Sequence, residues 1–176
     1  WTVDMMVNLS DKSTFYVSLF DGAMIRGNGR IRLLYDDSKL ALYNRFQAED
    51  GYVKMKLSGL PSKNFMIKQG SFVEFIGDPM KLRFDATAVY QLSADLSTLS
   101  PSFSSMGLST TRVPVWCELN AAGNLDKMNL SYEVKLPDSS DEIVENMNSI
   151  INSDAIKIKE FAYLLGVGMF YDPSGR

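Results

Sequence analysis

The sequence contains no histidine and a single cysteine in its 176 residues. Without histidine, neither a Ser-His or Cys-His nucleophilic pair nor a histidine-ligated metal site can be built. Cys117 alone cannot form a disulfide within the chain, so cysteine usage leaves the redox compartment open. These two shortages exclude several familiar catalytic and metal-binding sites, and we expect neither an enzyme nor a cofactor.

Long apolar runs and a strong charge of one sign are also missing. No stretch approaches the roughly 18 apolar residues of a membrane-spanning helix, and no signal peptide is recognisable. The net charge is −3, which does not indicate a nucleic-acid surface. Because Trp1 already falls inside a strand pattern without an initiator methionine, we expect a fragment of a larger protein, folded as a single domain over 1–176.

What the sequence does contain is an alternation of apolar and polar residues that returns from Trp1 to about Leu136. Successive side chains of a strand point to opposite faces, so each run places its apolar residues on one side of a sheet. Turn signals separate the runs. They are Asp21-Gly22, Asp36-Asp37, Asp50-Gly51, Gly77-Asp78-Pro79 and Gly123-Asn124. The pattern predicts a mainly β protein, a long antiparallel meander of nine or ten strands over 1–136 with one apolar face.

Apolar residues of equal parity are predicted to line one concave surface. A face of this size has to cover its own folded-over sheet, a partner or a lipid. The predicted groove residues are Val53, Met55, Leu57, Val73, Phe75, Leu82, Phe84, Ala86, Val115, Tyr132 and Val134.

Two segments depart from the alternation. Residues 93–111 are rich in serine and include Pro101, which predicts a long exposed loop. After Pro137, the period becomes that of a helix, and Ser139 with Glu142 resembles a capping box. One or two helices are therefore predicted over 141–172. They are apolar on several sides, so we expect them to dock on a partner or to plug the end of the domain's own core. The predicted docking residues are Ile151, Phe161, Leu164, Leu165 and Phe170.

Residues 65–90 resemble the signature of the TamB C-terminal domain family. The run Phe65–Pro79 is similar to that family's strand, glycine and second strand ending in Gly-x-Pro, and a long strand to Tyr90 follows. Val113-Pro114-Val115, Gly123-Asn124-Leu125 and the closing Leu164-Leu165 fit the same order. The similarity covers essentially the whole chain and is strongest from about 60 to 172.

This resemblance implies a non-catalytic, periplasmic part of a Gram-negative envelope protein anchored in the inner membrane by a segment outside this chain. It implies an open, taco-like sheet with an apolar interior. It also implies an outer-membrane barrel partner of the TamA or related assembly-factor type, and a role in phospholipid transport between the membranes or in outer-membrane protein assembly and secretion. The cargo of the groove would then be phospholipid acyl chains or unfolded barrel strands.

Other folds also produce alternation. A closed β-sandwich or solenoid interaction module, such as an adhesin segment, would use the apolar face as ordinary core. A transmembrane barrel alternates as well, but the closing helical segment fits it poorly. Exposed strand edges and bound lipid would favour the groove, whereas a closed core without lipid would favour the module.

Overall fold

The fold is known from a computed structural model, which describes residues 1–17, 21–56, 59–106 and 111–175. Within these residues, eight strands form one open antiparallel sheet and two helices follow, which confirms the predicted mainly β class. The strands are β1 (Thr2–Val17), β2 (Ala23–Asp36), β3 (Lys39–Met55), β4 (Lys63–Ile67), β5 (Phe72–Gly77), β6 (Arg83–Asp95), β7 (Arg112–Asn124) and β8 (Met128–Lys135). The helices are α1 (Asp141–Ile150) and α2 (Asp154–Val167). In the described part of the chain, no helix is long and apolar enough to cross a membrane.

The hydrogen-bonded order of the sheet is β1-β2-β3-β4-β6-β7-β8, and β5 pairs with β3 and β6 beside this path. The prediction of nine or ten strands is wrong for the described residues. One reason is the pair Asp50-Gly51, which was expected to be a turn but lies inside β3. There Arg26 pairs with Asp50 while Gly27 pairs with Ala48, so one extra residue of β3 forms a bulge.

Glycine permits this bulge because the strands approach each other closely. A Cβ atom on Gly27 would lie 2.1 Å from the carbonyl oxygen of Gln47, and one on Gly51 would lie 2.4 Å from that of Met24. Gly51 also has a φ of +155°, which larger residues rarely adopt. The glycines therefore let β2 and β3 continue past the irregularity as long strands.

The segment expected to be an exposed serine-rich loop is largely ordered. β6 continues to Asp95, and 3₁₀ turns follow at Leu96–Thr98 and Pro101–Ser105. The Asp95 carboxylate accepts hydrogen bonds from the Ser97 backbone N–H and hydroxyl at 2.8 and 2.7 Å. The structure differs from the expectation because Leu96, Leu99 and Phe103 are fully buried and tie the turns to the core. Residues 107–110 lie outside the described part.

The residues group into two compact units. The first comprises Trp1–Met55, Asn64–Ala88 and Leu119–Ser131, and the second comprises Lys56–Lys63, Val89–Glu118 and Tyr132–Arg176. The first unit holds the long strands β1, β2 and β3. The second holds both helices and most of the fully buried apolar side chains. Its core includes Leu96, Leu99, Phe103, Val115, Cys117, Met147, Leu164 and Leu165.

Both helices begin at serine caps, and the first cap is one residue later than the sequence indicated. The Ser140 hydroxyl accepts the backbone N–H of Ile143, and that of Ser153 accepts the N–H of Ile156. α2 ends at Gly168, whose φ of 71° is left-handed and whose N–H bonds the carbonyls of Tyr163 and Leu164.

Candidate functional site

The candidate site is the apolar face of the sheet in the first unit. Directly opposed residues of neighbouring strands share a face, so the register defines which side chains meet. One row crosses five strands from Leu9 through Gly29, Phe46 and Val73 to Phe84. Further rows join Met5, Leu33 and Leu42, and Val3, Tyr35 and Leu40. We call the resulting set the apolar face: Val3, Met5, Val7, Leu9, Phe15, Ile25, Ile31, Leu33, Tyr35, Leu40, Leu42, Phe46, Ala48, Val53, Val73, Phe75 and Phe84.

The apolar face is incompletely covered. Val7 and Leu40 are 37% and 43% exposed, and Leu33, Phe46, Phe75 and Phe84 are only half-buried. Aromatic contacts run along it, for example between Phe15 and Phe46, whose ring centroids are 5.2 Å apart in an edge-to-face arrangement. A contiguous apolar surface left open in this way is typical of a binding surface.

The opposite face of the same strands carries paired charges. Arg32 on β2 bonds the Asp4 carboxylate on β1 at 2.8 Å, and Arg26 bonds Asp50 on β3 at 2.6 Å. The hydrogen bonds from Arg32 lower the pKa of the Asp4 carboxyl below its ordinary value. One side of the sheet is therefore polar and the other is apolar.

Glu74 on β5 joins three strands on this polar face. Arg83 on β6 and Arg45 on β3 both bond its carboxylate, Arg45 at 3.0 Å. The hydrogen bonds from Arg83 and then Arg45 lower the pKa of Glu74. The Arg45 guanidinium also lies 3.8 Å from the centre of the Phe72 ring. These contacts favour the observed register, which keeps the apolar residues on the other side.

The structure brings together seven of the predicted groove residues. Val53, Val73, Phe75 and Phe84 lie on the apolar face by register, and Met55, Leu82 and Ala86 share their parity within the same segments. Val53 is 7% exposed and thus nearly covered, whereas the other six are half-buried. Leu57 lies outside the described residues.

Three predicted groove residues belong to the core of the second unit. Val115 and Val134 are buried there, and the Tyr132 ring contacts the Phe161 ring of α2. These side chains have the predicted strand parity but are covered by the chain itself.

The predicted docking residues are also inside the second unit. Ile151, Phe161, Leu164, Leu165 and Phe170 are all buried, the arrangement expected if the helices plug a core. Docking on a partner stays a prediction. The large apolar side chains of α2 and its end that are exposed are Ile158, Tyr163, Val167 and Met169.

Sequence reasoning did not select most of the apolar face. Leu40, Leu42, Phe46 and Ala48 alternate along β3, so the signal was present, but Asn44 interrupts it and has a φ of 83°. The bulge further along β3 then hides the connection to Val53. In the described residues, no group of three or more acidic or cysteine side chains is placed to hold a metal ion.

A comparison with protein families gives one match. The model described as the TamB C-terminal domain matches residues 2–150, which includes all eight strands and α1. No curated protein matches the chain.

Proposed function

The chain belongs to the TamB C-terminal domain family, and from this premise we propose that its apolar face receives the acyl chains of phospholipids on their way between the two membranes. The family is a non-enzymatic transport and assembly module of the Gram-negative cell envelope, and its members interact with assembly partners of the TamA type. We further propose that the whole chain is one such domain of a protein anchored in the inner membrane.

The observation that carries the proposal is the row of residues from Leu9 to Phe84, which crosses five strands on a face that the described residues leave open. Exposing a chain of ~16 carbons to water costs about 13 kcal/mol at ~0.8 kcal/mol per CH₂. A continuous apolar surface lowers that cost along the whole path. The charged side of the sheet remains hydrated.

A closed interaction module fits less well. Such a module would bury the apolar side chains of β1 and β2 in its own core, yet Met5 and Val7 are more than one-third exposed. An unfolded barrel strand remains the second candidate cargo. It would alternate apolar and polar residues itself and could pair with the free edge of the long strand β1, which among the described residues is hydrogen-bonded in the sheet to β2 alone.

The test uses two substitutions that are adjacent in β1 but on opposite faces. Val7→Glu places a carboxylate on the apolar face, and Asn8→Glu places one on the polar face. There Arg30 already donates a hydrogen bond to Asn8 at 3.0 Å. Both sites are exposed, so both variants should fold. Native mass spectrometry after incubation with phosphatidylethanolamine and phosphatidylglycerol measures the bound lipid.

We expect the unmodified chain and Asn8→Glu to retain lipid and Val7→Glu to lose most of it. Equal binding by both variants would contradict the assignment of the apolar face. Absence of lipid from the unmodified chain would contradict the phospholipid proposal and favour a protein strand as cargo. A photo-crosslinker at Val7 would then be used to capture a synthetic alternating peptide.

A further inference from the structure

Glu160 is a fully buried carboxyl group in the core of the second unit. It lies on α2, and its Oε1 atom accepts the backbone N–H of Tyr171 at 2.5 Å. Its Oε2 atom is also buried and has no hydrogen-bond partner within the described residues. No lysine or arginine of the described chain forms an ion pair with it. A buried carboxylate with this little compensation is costly, whereas a neutral carboxyl is not.

Of the groups around Glu160, the Asp172 carboxylate adds to this cost. Cys117 of β7, itself fully buried, and Asp172 of the segment after α2 both interact with it electrostatically. The nearby cation Lys159 lies over the Tyr171 ring, 4.4 Å from its centre, and not on the carboxyl. Burial raises the pKa of Glu160 to about 7. The Tyr171 N–H opposes that rise and the Asp172 carboxylate adds to it.

The segment held by this contact closes the end of the helix. Residues 169–174, which we call the closing segment, follow the left-handed Gly168 and place the buried Phe170 ring in the core. Asp172 accepts hydrogen bonds from the backbone N–H and hydroxyl of Ser174 at 2.9 and 2.6 Å, which folds the segment into a turn. The hydrogen bond from the Tyr171 N–H to Glu160 ties the segment to α2.

We propose that Glu160 is a proton-operated latch, which secures the closing segment when its carboxyl is neutral and loosens it when the carboxyl loses its proton. The neutral group keeps its acceptor oxygen on the Tyr171 N–H without a buried charge. The anion is stabilised if the segment moves aside and admits water. Water then hydrates the charge, which removes the cost of burial, and screens the repulsion from Asp172.

The latch would act on a nearby cavity. The last turn of α2 and the start of the closing segment, residues 164–169, line one side of a cavity of about 550 Å³. The other side is lined by Lys63, Tyr90, Leu92, Ser93 and Arg112. Loosening of the closing segment changes this wall. The family match ends at residue 150, so α2 and the closing segment lie outside it. The inference therefore does not depend on the proposed lipid transport.

Hydrogen exchange of the Tyr171 backbone amide tests the latch in the whole chain. The measurement is the NMR protection factor, the ratio of intrinsic to observed exchange rate, at several pH values from 5.5 to 8.5. We expect the protection of Tyr171 to fall about tenfold between pH 5.5 and about 7 and to level off above that. In this window the closed carboxyl still holds its proton, whereas the opened one, whose pKa returns toward the ordinary 4.5, has lost it. Glu160→Gln keeps an acceptor oxygen and should show protection independent of pH.

Two further variants complete the test. Glu145→Gln, at an exposed glutamate of α1, should retain the pH profile of the unmodified chain. Asp172→Asn removes the neighbouring charge and should move the midpoint of the profile to lower pH, and it also serves if Glu160→Gln does not fold. Protection of Tyr171 that stays constant or rises with pH in the unmodified chain would overturn the proposal. An unchanged midpoint in Asp172→Asn would overturn it as well.

Discussion

The ring of Tyr132 on β8 meets the ring of Phe161 on α2 edge to face, with centroids 5.2 Å apart. From the sequence, the first was expected to line a groove and the second to dock on a partner. In the folded chain they contact each other instead. The contact shows that α2 covers the apolar side of β8 in the second unit.

This contact predicts a large loss of stability when the Phe161 ring is removed. Phe161 is buried, and the change Phe161→Ala leaves a cavity beside Tyr132, which costs about 3–5 kcal/mol of the free energy of unfolding. Urea denaturation followed by circular dichroism measures the loss. Ile158→Ala, at a half-exposed position of the same helix, should cost less than about 1 kcal/mol. Similar losses in both variants would mean that α2 does not pack as described.

Local patterns predicted much of this fold, but not the residues that depend on distant contacts. Parity alone placed Val73 and Phe84 on one face, and a serine cap marked the start of α1. By contrast, Leu96, Leu99 and Phe103 stand among serines, and their burial depends on the rest of the second unit. The burial of Glu160 likewise comes from the closing segment, which no local pattern around α2 reveals. The bulge in β3 was missed because Asp-Gly favours a turn as strongly as it favours a bulge.

The close approach of β2 and β3 gives a second prediction. Gly27→Val should destabilise the sheet by about 1–3 kcal/mol, because its Cβ atom would overlap the Gln47 carbonyl and force the strands apart. Asn28→Val is the control: it loses the hydrogen bond that Asn28 donates to Glu49 and the one it accepts from Gln47, but it introduces no backbone overlap. Thermal unfolding of the two variants should separate them clearly. An equal or smaller effect at Gly27 would show that the bulge tolerates a side chain.

The buried carboxyl of Glu160 predicts how stability depends on pH. Its pKa is about 7 in the folded chain against an ordinary value of 4.5, so the folded state binds more protons than the unfolded state between these values. The free energy of unfolding contributed by this group therefore falls as pH rises through that window. Glu160→Gln should be close to the unmodified chain at pH 5 and more stable by about 1–3 kcal/mol at pH 8. Urea denaturation at both values checks this, with Glu145→Gln expected to match the unmodified chain throughout.

The last prediction concerns whether α2 plugs its own unit, docks on a partner, or does both. The inner side of α2 is buried in the core, since Leu164 is 1% exposed. Val167, on the outer side, is 66% exposed. Leu164→Asp should therefore unfold the second unit, because it buries an unpaired charge. Val167→Asp should leave the fold intact.

Binding to a TamA-type barrel then separates the alternatives. If the outer side of α2 docks, Val167→Asp folds normally by circular dichroism but no longer co-purifies with the barrel, since a charge at the centre of an apolar contact is costly to desolvate. Ala155→Asp introduces the same charge at an exposed position in the first turn of α2, at the other end of the helix and outside that contact. Retained co-purification in Val167→Asp would restrict α2 to its role as a plug. A chain truncated after Pro137 would then lose the core of the second unit, because Val115 and Val134 would be left without their helical cover.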